Sequence, residues 1–528
     1  MFSGLSGSHK DLHLSVSIML GASFREPKHY AAFLFGALAL LILARYRSRR
    51  GSTLPLPPGP PRLPIIGNLH QMPSTHLWEK AVEWGKQYGD LVYVENVGIP
   101  TLILNSFEAV SELLVKRSAI YSSRPHITMF SELLDLGWTT TILPYGETLR
   151  KHRTHLHKFF QTSETLNYLE IQERNCYVML NGLLNAPKGY AEHIRRLPSA
   201  VILRNVYGYE AQGEDDPIVH LGENVVRTGG EALTYLFLNF VPWLKYLPEG
   251  LPGIAFPGKA REGRQYQKTF RATPYEIAKR NFIEGTGKEC MTSVLFAESL
   301  QEDGSFNDEQ TISGAAGTAF LGGTDTSATA ILTFVLAILK NPDKQRRAQE
   351  EIDTVIGSNR LPNHSDMDSL PYVRAICTEI LRWEVILPFA VPHLLTEDDE
   401  YMGHSIPAGT WVFPNVWAIS RDPKHYPDPL SFKPERWIPG ETKEGVPPLR
   451  PQEICPGQNW AEHIIFLAVA SLLATFNIEP DVGPDGTQIP PNDQFIPSAI
   501  RTLRASKCRI TPRSDKAASL IRQAVSSL

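Results

Sequence analysis

The chain has 528 residues, of which 42% are hydrophobic and 20% charged, and its formal net charge is −4. That composition is globular and excludes a disordered chain, a collagen and a multi-span membrane protein. The near balance of charge leaves no global field to gather nucleic acid, so no nucleic-acid partner is expected. The five cysteines, Cys176, Cys290, Cys377, Cys455 and Cys508, are few, scattered and odd in number. They argue against a disulfide framework and for a reducing compartment, where a special cysteine is a ligand or a nucleophile.

In chain order, an extension (1–29) precedes an apolar run, YAAFLFGALALLILA, at 30–44. As a helix the run spans roughly 22 Å, short for a hydrocarbon core of about 30 Å. Lys28 and Arg45 can lengthen it by reaching outward. The basic cluster Arg45, Arg47, Arg49 and Arg50 follows the run, so the expectation is a membrane anchor with the remaining chain in the cytosol. A cleaved signal peptide is the rival, but it would carry its charge first. Residues 45–68 then form a basic and proline-rich hinge. Its prolines exclude a helix or a central strand and predict a stiff, extended connector.

The body, 69–513, is mainly helical, with a small β region expected at 91–105, 403–415 and 502–511, and a tail follows at 514–528. Residues 310–340 contain no proline and predict one long helix, stopped by Asn341-Pro342. Its apolar second half places it at the centre of the protein. A membrane span is the alternative, but Asp325 interrupts the apolar pattern.

Four places carry chemistry. In the long helix, Gly322-Gly323-Thr324-Asp325-Thr326-Ser327 combines two glycines with an acid and a hydroxyl. The glycines admit something flat against the backbone, and the acid and hydroxyl suit proton delivery or a polar ligand. The bland reading is a flexible kink. Glu379 and Arg382 stand at i,i+3 on one helix face among apolar residues. A buried ion pair needs further hydrogen bonds, and Arg436 in FKPERW is the candidate third partner. A surface salt bridge is the competing reading. Cys455 precedes an apolar helical pattern, where a helix entrance favours a thiolate that binds metal or attacks as a nucleophile. A buried, inert cysteine is the alternative, and is expected for Cys377. Arg150 and Arg153 lie one helical turn apart and could hold an anion, although by themselves they read as a solvated basic face.

Taken together, in this order and over nearly the whole chain, these features resemble the cytochrome P-450 family of haem-thiolate monooxygenases. Residues 322–327 resemble its oxygen-activation motif, and Glu379 with Arg382 its Glu-x-x-Arg pair. Residues 432–437 resemble the element whose arginine, here Arg436, completes a buried triad, and Cys455, Gly457 and Ala461 match the cysteine-ligand signature. SLPYVRA, VPHLLTEDDEY and FKPERW resemble fungal microsomal members in particular.

The resemblance implies the cytochrome P-450 fold, with a long central helix over a buried haem b and an N-terminal membrane anchor. It implies Cys455 as axial thiolate to the iron, Thr326 with Asp325 as a proton relay, and Arg153 and His393 as holders of the haem propionates. Gly322 and Gly323 would border the cofactor, and Ala319 and Phe320 would stand near substrate. Its implied partners are an NADPH-cytochrome P-450 reductase, the endoplasmic reticulum membrane (single-pass, catalytic domain cytosolic) and a hydrophobic small molecule. A terpenoid or polyketide intermediate of fungal secondary metabolism is the expected substrate type. Substrate contacts would come from 125–136, 386–391 and 497–501.

Departures fall just before the cysteine. The family has an aromatic residue, a glycine and a base where this chain has Pro448, Pro451 and Glu453, and Leu149 replaces its usual tryptophan. Three readings of loop 447–453 compete: an active enzyme with a rebuilt loop, coding sequence dropped before Ile454, or a degenerate, non-catalytic membrane-tethered relative that binds haem poorly.

Overall fold

The computed structural model describes residues 54–73, 75–161, 168–212, 215–440, 455–496, 498 and 500–528. The expected extension, the anchor, the basic part of the hinge and the atypical loop 447–453 lie outside the described residues. The chain divides into two compact units. The described residues of the smaller one are 54–57 and a hairpin, Asp399–Tyr401 paired antiparallel with His404–Ile406, where Ser405 N–H donates to the Pro55 carbonyl at 2.8 Å.

The larger unit, Pro58–Asp398 with Pro407–Leu528, holds everything described below. Helix α1 (Leu77–Tyr88) leads into strands β1 (Leu91–Asn96) and β2 (Ile99–Leu104). These pair antiparallel, with Leu91 opposite Leu104, around a turn in which Val97 and Gly98 both take positive φ. Then come α2 (Glu147–Phe160), α3 (Tyr168–Asn185), α4 (Tyr190–Tyr207), α5 (Pro217–Glu231), α6 (Phe256–Ile283) and the long α7 (Glu309–Lys340). After α8 (Pro342–Val355) and α9 (Pro371–Trp383), strands β3 (His393–Leu394) and β4 (Trp411–Pro414) complete a four-stranded sheet of order β1-β2-β4-β3. Helix α10 (Gln458–Thr475) is followed by β5 (Phe476–Pro480), β6 (Cys508–Pro512), which pairs with β5, and α11 (Asp515–Ser526).

Helix α7 is the axis of the core. Thr311–Thr318 and Ser327–Leu339 are buried on it, and α4, α2, α9 and α10 pack around it. It is the one helix among the described residues long and apolar enough to cross a membrane, but 72% of its apolar window is buried inside the protein. It is therefore a core helix. Asn341 ends it and Pro342 opens α8, because proline cannot continue the hydrogen-bond ladder of the preceding turn.

Two stretches differ from expectation. From Pro58 onward the proline-rich segment is docked on β1 rather than standing off as a hinge. Tyr93 N–H donates to Pro58 O at 2.8 Å, Asn68 N–H to Glu95 O at 2.6 Å, and Glu95 N–H to Asn68 Oδ1 at 2.9 Å. A Cβ on Gly59 would stand 1.9 Å from Tyr93 O, so only glycine permits this approach. Residues 515–526, expected as a tail, form a helix capped by Ser514, with Ile521 fully buried against α3.

Candidate active site

The two glycines do not break α7. Thr324 Oγ1 donates to Phe320 O at 2.8 Å and Thr326 Oγ1 to Gly322 O at 2.6 Å, so hydroxyls bond back to the preceding turn and the helix stays continuous. Gly322 is nevertheless exposed in the middle of this buried helix, and nothing lies within 4 Å of where its Cβ would stand. Ala319, Gly323 and Thr326 are half-buried beside it. At about 100° per residue these four share one face. Phe320 is on another face: it is fully buried, its ring tilted against Phe270 with centroids 4.6 Å apart, and it closes over Gly222. The expectation that Phe320 borders the substrate is therefore corrected, since the helical period turns it away from the open face.

Asp325 accepts a hydrogen bond from Thr502 Oγ1 at 3.3 Å. Burial pushes its carboxyl above the usual range, and the nearby Arg195 charge and the Thr502 bond oppose this only in part. The acid is thus biased toward its protonated form.

Gly323 leads to the cysteine. Its Cβ position is 3.5 Å from Trp460, which sits in the first turn of α10. Trp460 is held by Asn205 Oδ1 at 3.3 Å and by an edge-on contact with Phe160. Cys455 lies three residues before α10, with Gly457 at the N-cap. It is the exposed member of the five free cysteines. Burial pushes the thiols of Cys176 and Cys508 up to about 12 and about 11, and that of Cys377 still higher. Among the described residues no group of three or more His, Cys, Asp or Glu could hold a metal ion.

Basic groups come from three elements. Arg153 is half-buried on α2. His393, on β3, is 2% exposed and its Nδ1–H donates to Tyr121 O at 2.7 Å, which leaves Nε2 as the other functional atom of the ring. Arg124 was not singled out from the sequence. It is buried, and its guanidinium donates to the carbonyls of Val391 (2.9 Å) and Pro392 (3.1 Å), next to His393. It sits in a YSSRP segment, just past a short helix, with no periodicity to flag it.

The acid–base set at Glu379 is fully enclosed. Arg382 Nε and Nη2 donate to the two oxygens of Glu379 at 2.8 and 2.7 Å. Arg436 Nε (3.4 Å), Lys433 N–H (2.9 Å) and Trp437 Nε1 (2.9 Å) donate to the same carboxylate. Arg382 also donates to the carbonyls of Ser420, Pro429 and Ser431. Two of the segments expected to contact substrate, 386–391 and 497–501, meet at Arg501. Its side chain bonds Glu384 at 2.7 Å, and its N–H donates to Ile386 O at 2.9 Å. Of the third segment, Pro497 and Ala499 lie outside the described residues.

The sequence pattern of the family described as Cytochrome P-450 matches residues 57–499. Cytochrome P-450 monooxygenase 105 of Postia placenta is 36% identical over 488 residues, covering 91% of this chain and 93% of its own. Cytochrome P-450 monooxygenase COX2 of Coprinopsis cinerea is 34% identical over 512 residues (95% and 97%), and ple1 of Rhodocybe pseudopiperita 35% over 478 (88% and 91%). The chain belongs to the cytochrome P-450 family and is a P-450 monooxygenase, an oxidoreductase. The family implies a haem-thiolate cofactor, a redox partner and a hydrophobic substrate. The bare face at Gly322 and the exposed Cys455, with Arg124 anchored beside His393, fit such a cofactor.

Proposed function

We propose that this chain inserts one oxygen atom from O2 into a hydrophobic small molecule, with electrons from NADPH delivered by a reductase in the endoplasmic reticulum membrane. A terpenoid or polyketide intermediate of fungal secondary metabolism is the substrate type that this reading favours. The observation that carries it is the pairing of an exposed Cys455 with the opening on α7 at Gly322, joined through Gly323 and Trp460.

When bound, the haem supplies oxygen activation through its thiolate-ligated iron. Cys455 would provide that ligand, and Arg124, Arg153 and His393 would hold the propionates by charge-assisted hydrogen bonds. Gly322 leaves room for the flat ring, whereas Gly323 is packed against Ile202 and Trp460 and lets α10 approach α7 closely. Thr326 spends its proton on Gly322 O, so its oxygen is an acceptor toward the open face. Asp325, biased toward its acid form, can deliver a proton to that region and be recharged from the Thr502 side. Arg501 locks the segment after Glu384 to the segment before Thr502 and so fixes one wall of the substrate cavity.

Full-length protein with its reductase, NADPH and isotopically labelled O2 tests this reading: one labelled oxygen atom per product molecule is expected. Haem-loaded, reducible protein that turns over no member of a broad terpenoid and polyketide panel would remove the secondary-metabolism assignment. The second reading, a tethered relative with impaired haem binding, draws on Pro448, Pro451 and Glu453. It predicts folded protein that retains no haem.

A further inference from the structure

Helix α2 ends at Gln161, whose N–H donates to His157 O at 3.1 Å. The Gln161 side chain reaches the cysteine loop. Its Nε2 donates to Cys455 O at 3.2 Å and to Pro456 O at 3.3 Å. The bond is returned, because Asn459 Nδ2 donates to Gln161 O at 2.6 Å. The loop is thus gripped at both ends, before and after Gly457. Within it, Gln458 N–H donates to Cys455 O at 3.0 Å and Ala461 N–H to Gly457 O at 2.9 Å, while Pro456 has no N–H to give.

We infer that Gln161 is a positioning residue for the Cys455 sulfur, forming with Asn459 a reciprocal latch between the end of α2 and the thiolate loop. The inference rests on the reading of Cys455 as haem ligand. Its importance is particular to this chain. Upstream of Cys455 stand Pro448, Pro451 and Glu453, none of which can make a glycine's tight turn or a base's contact. The latch restrains the loop at Cys455, Pro456 and Asn459 themselves. Arg153 lies eight residues earlier on the same helix, about 12 Å along its axis. One rigid element therefore carries both a propionate-binding group and the tie to the thiolate loop.

The test uses full-length Gln161→Leu and Gln161→Glu, which remove the donor, and Gln161→Arg, which restores one. In haem-free protein, amide hydrogen exchange is followed over 457–461. In haem-loaded, reduced protein, conversion of the thiolate-type carbon-monoxide band to the non-thiolate type is followed with time. The Leu and Glu variants should exchange about tenfold faster in this loop and lose the thiolate band several-fold faster, with the Arg variant returning toward wild type. If the Leu variant fails to fold, the isosteric Glu variant and Asn459→Leu decide. Folded variants with unchanged exchange and an unchanged band lifetime would overturn the latch. A wild type that never shows a thiolate band would instead remove the haem-ligand reading, while the exchange comparison still decides the latch.

Discussion

Arg382 lays the edge of its guanidinium on both oxygens of Glu379, at 2.8 and 2.7 Å, with neither side chain exposed to solvent. Such a pair is costly to bury and even more costly to break, because removing one partner strands the other charge. Arg382→Ala should therefore lower stability by about 3–5 kcal/mol. Arg382→Lys should recover little, since a point ammonium cannot span the carboxylate and the carbonyls of Ser420, Pro429 and Ser431 together. Denaturant midpoints and haem content of the two variants check this. Wild-type values for Arg382→Lys would contradict a structural dependence on the two-point bond.

Asp325→Asn separates proton delivery from stability. Burial raises the Asp325 carboxyl above its ordinary range. The stability of the neutral form is complete below the unfolded pKa of about 3.9 and is lost as pH rises through the folded value. The asparagine variant should match wild type in acid and equal or exceed its stability at neutral pH. Turnover should fall about a hundredfold, the usual scale for a lost general acid. Product formation and thermal unfolding across pH measure both. Undiminished turnover would remove Asp325 from the relay.

His152 sets an acid limit. It is buried between α2 and α7, beside Gly314, with Thr140 Oγ1 at 2.9 Å from its Nδ1. Burial first, then the His155 and Arg271 charges, push its pKa down to about 4. Its contribution is present above the unfolded value near 6.5 and is lost as pH falls toward 4, on the order of 3 kcal/mol across that window. His152→Gln should flatten the stability–pH slope there, as read by urea midpoints. An unchanged slope would place the acid sensitivity elsewhere, with His364 as the next group, since burial also takes it down to about 4.

The sequence made the long central helix legible, because thirty-one residues without proline and an apolar second half leave few alternatives, and Glu309–Lys340 is what forms. The grouping of Glu379, Arg382 and Arg436 was also readable, since charges at helical spacing among apolar residues demand partners. Two errors have physical causes. Proximity in sequence suggests Phe320 beside Gly322 and Thr326, but the helical period puts it on another face. A helix, Asp515–Ser526, stands where a tail is expected, because Ser514, Asp515 and the Ala517, Ala518, Ile521 stripe form a capped amphipathic start. Arg124 and Gln161 carry no local pattern. Their contacts, to Val391 and Cys455, are long-range, and only the folded chain brings these residues near.

The most direct measurement is the carbon-monoxide difference spectrum of reduced, haem-supplemented full-length protein, taken beside Cys455→Ala. A thiolate-type band in the wild type, absent from a folded Cys455→Ala variant, is the expected result. Folded wild type that binds no haem, or a Cys455→Ala variant with the same band, would contradict the assignment of Cys455 to the iron.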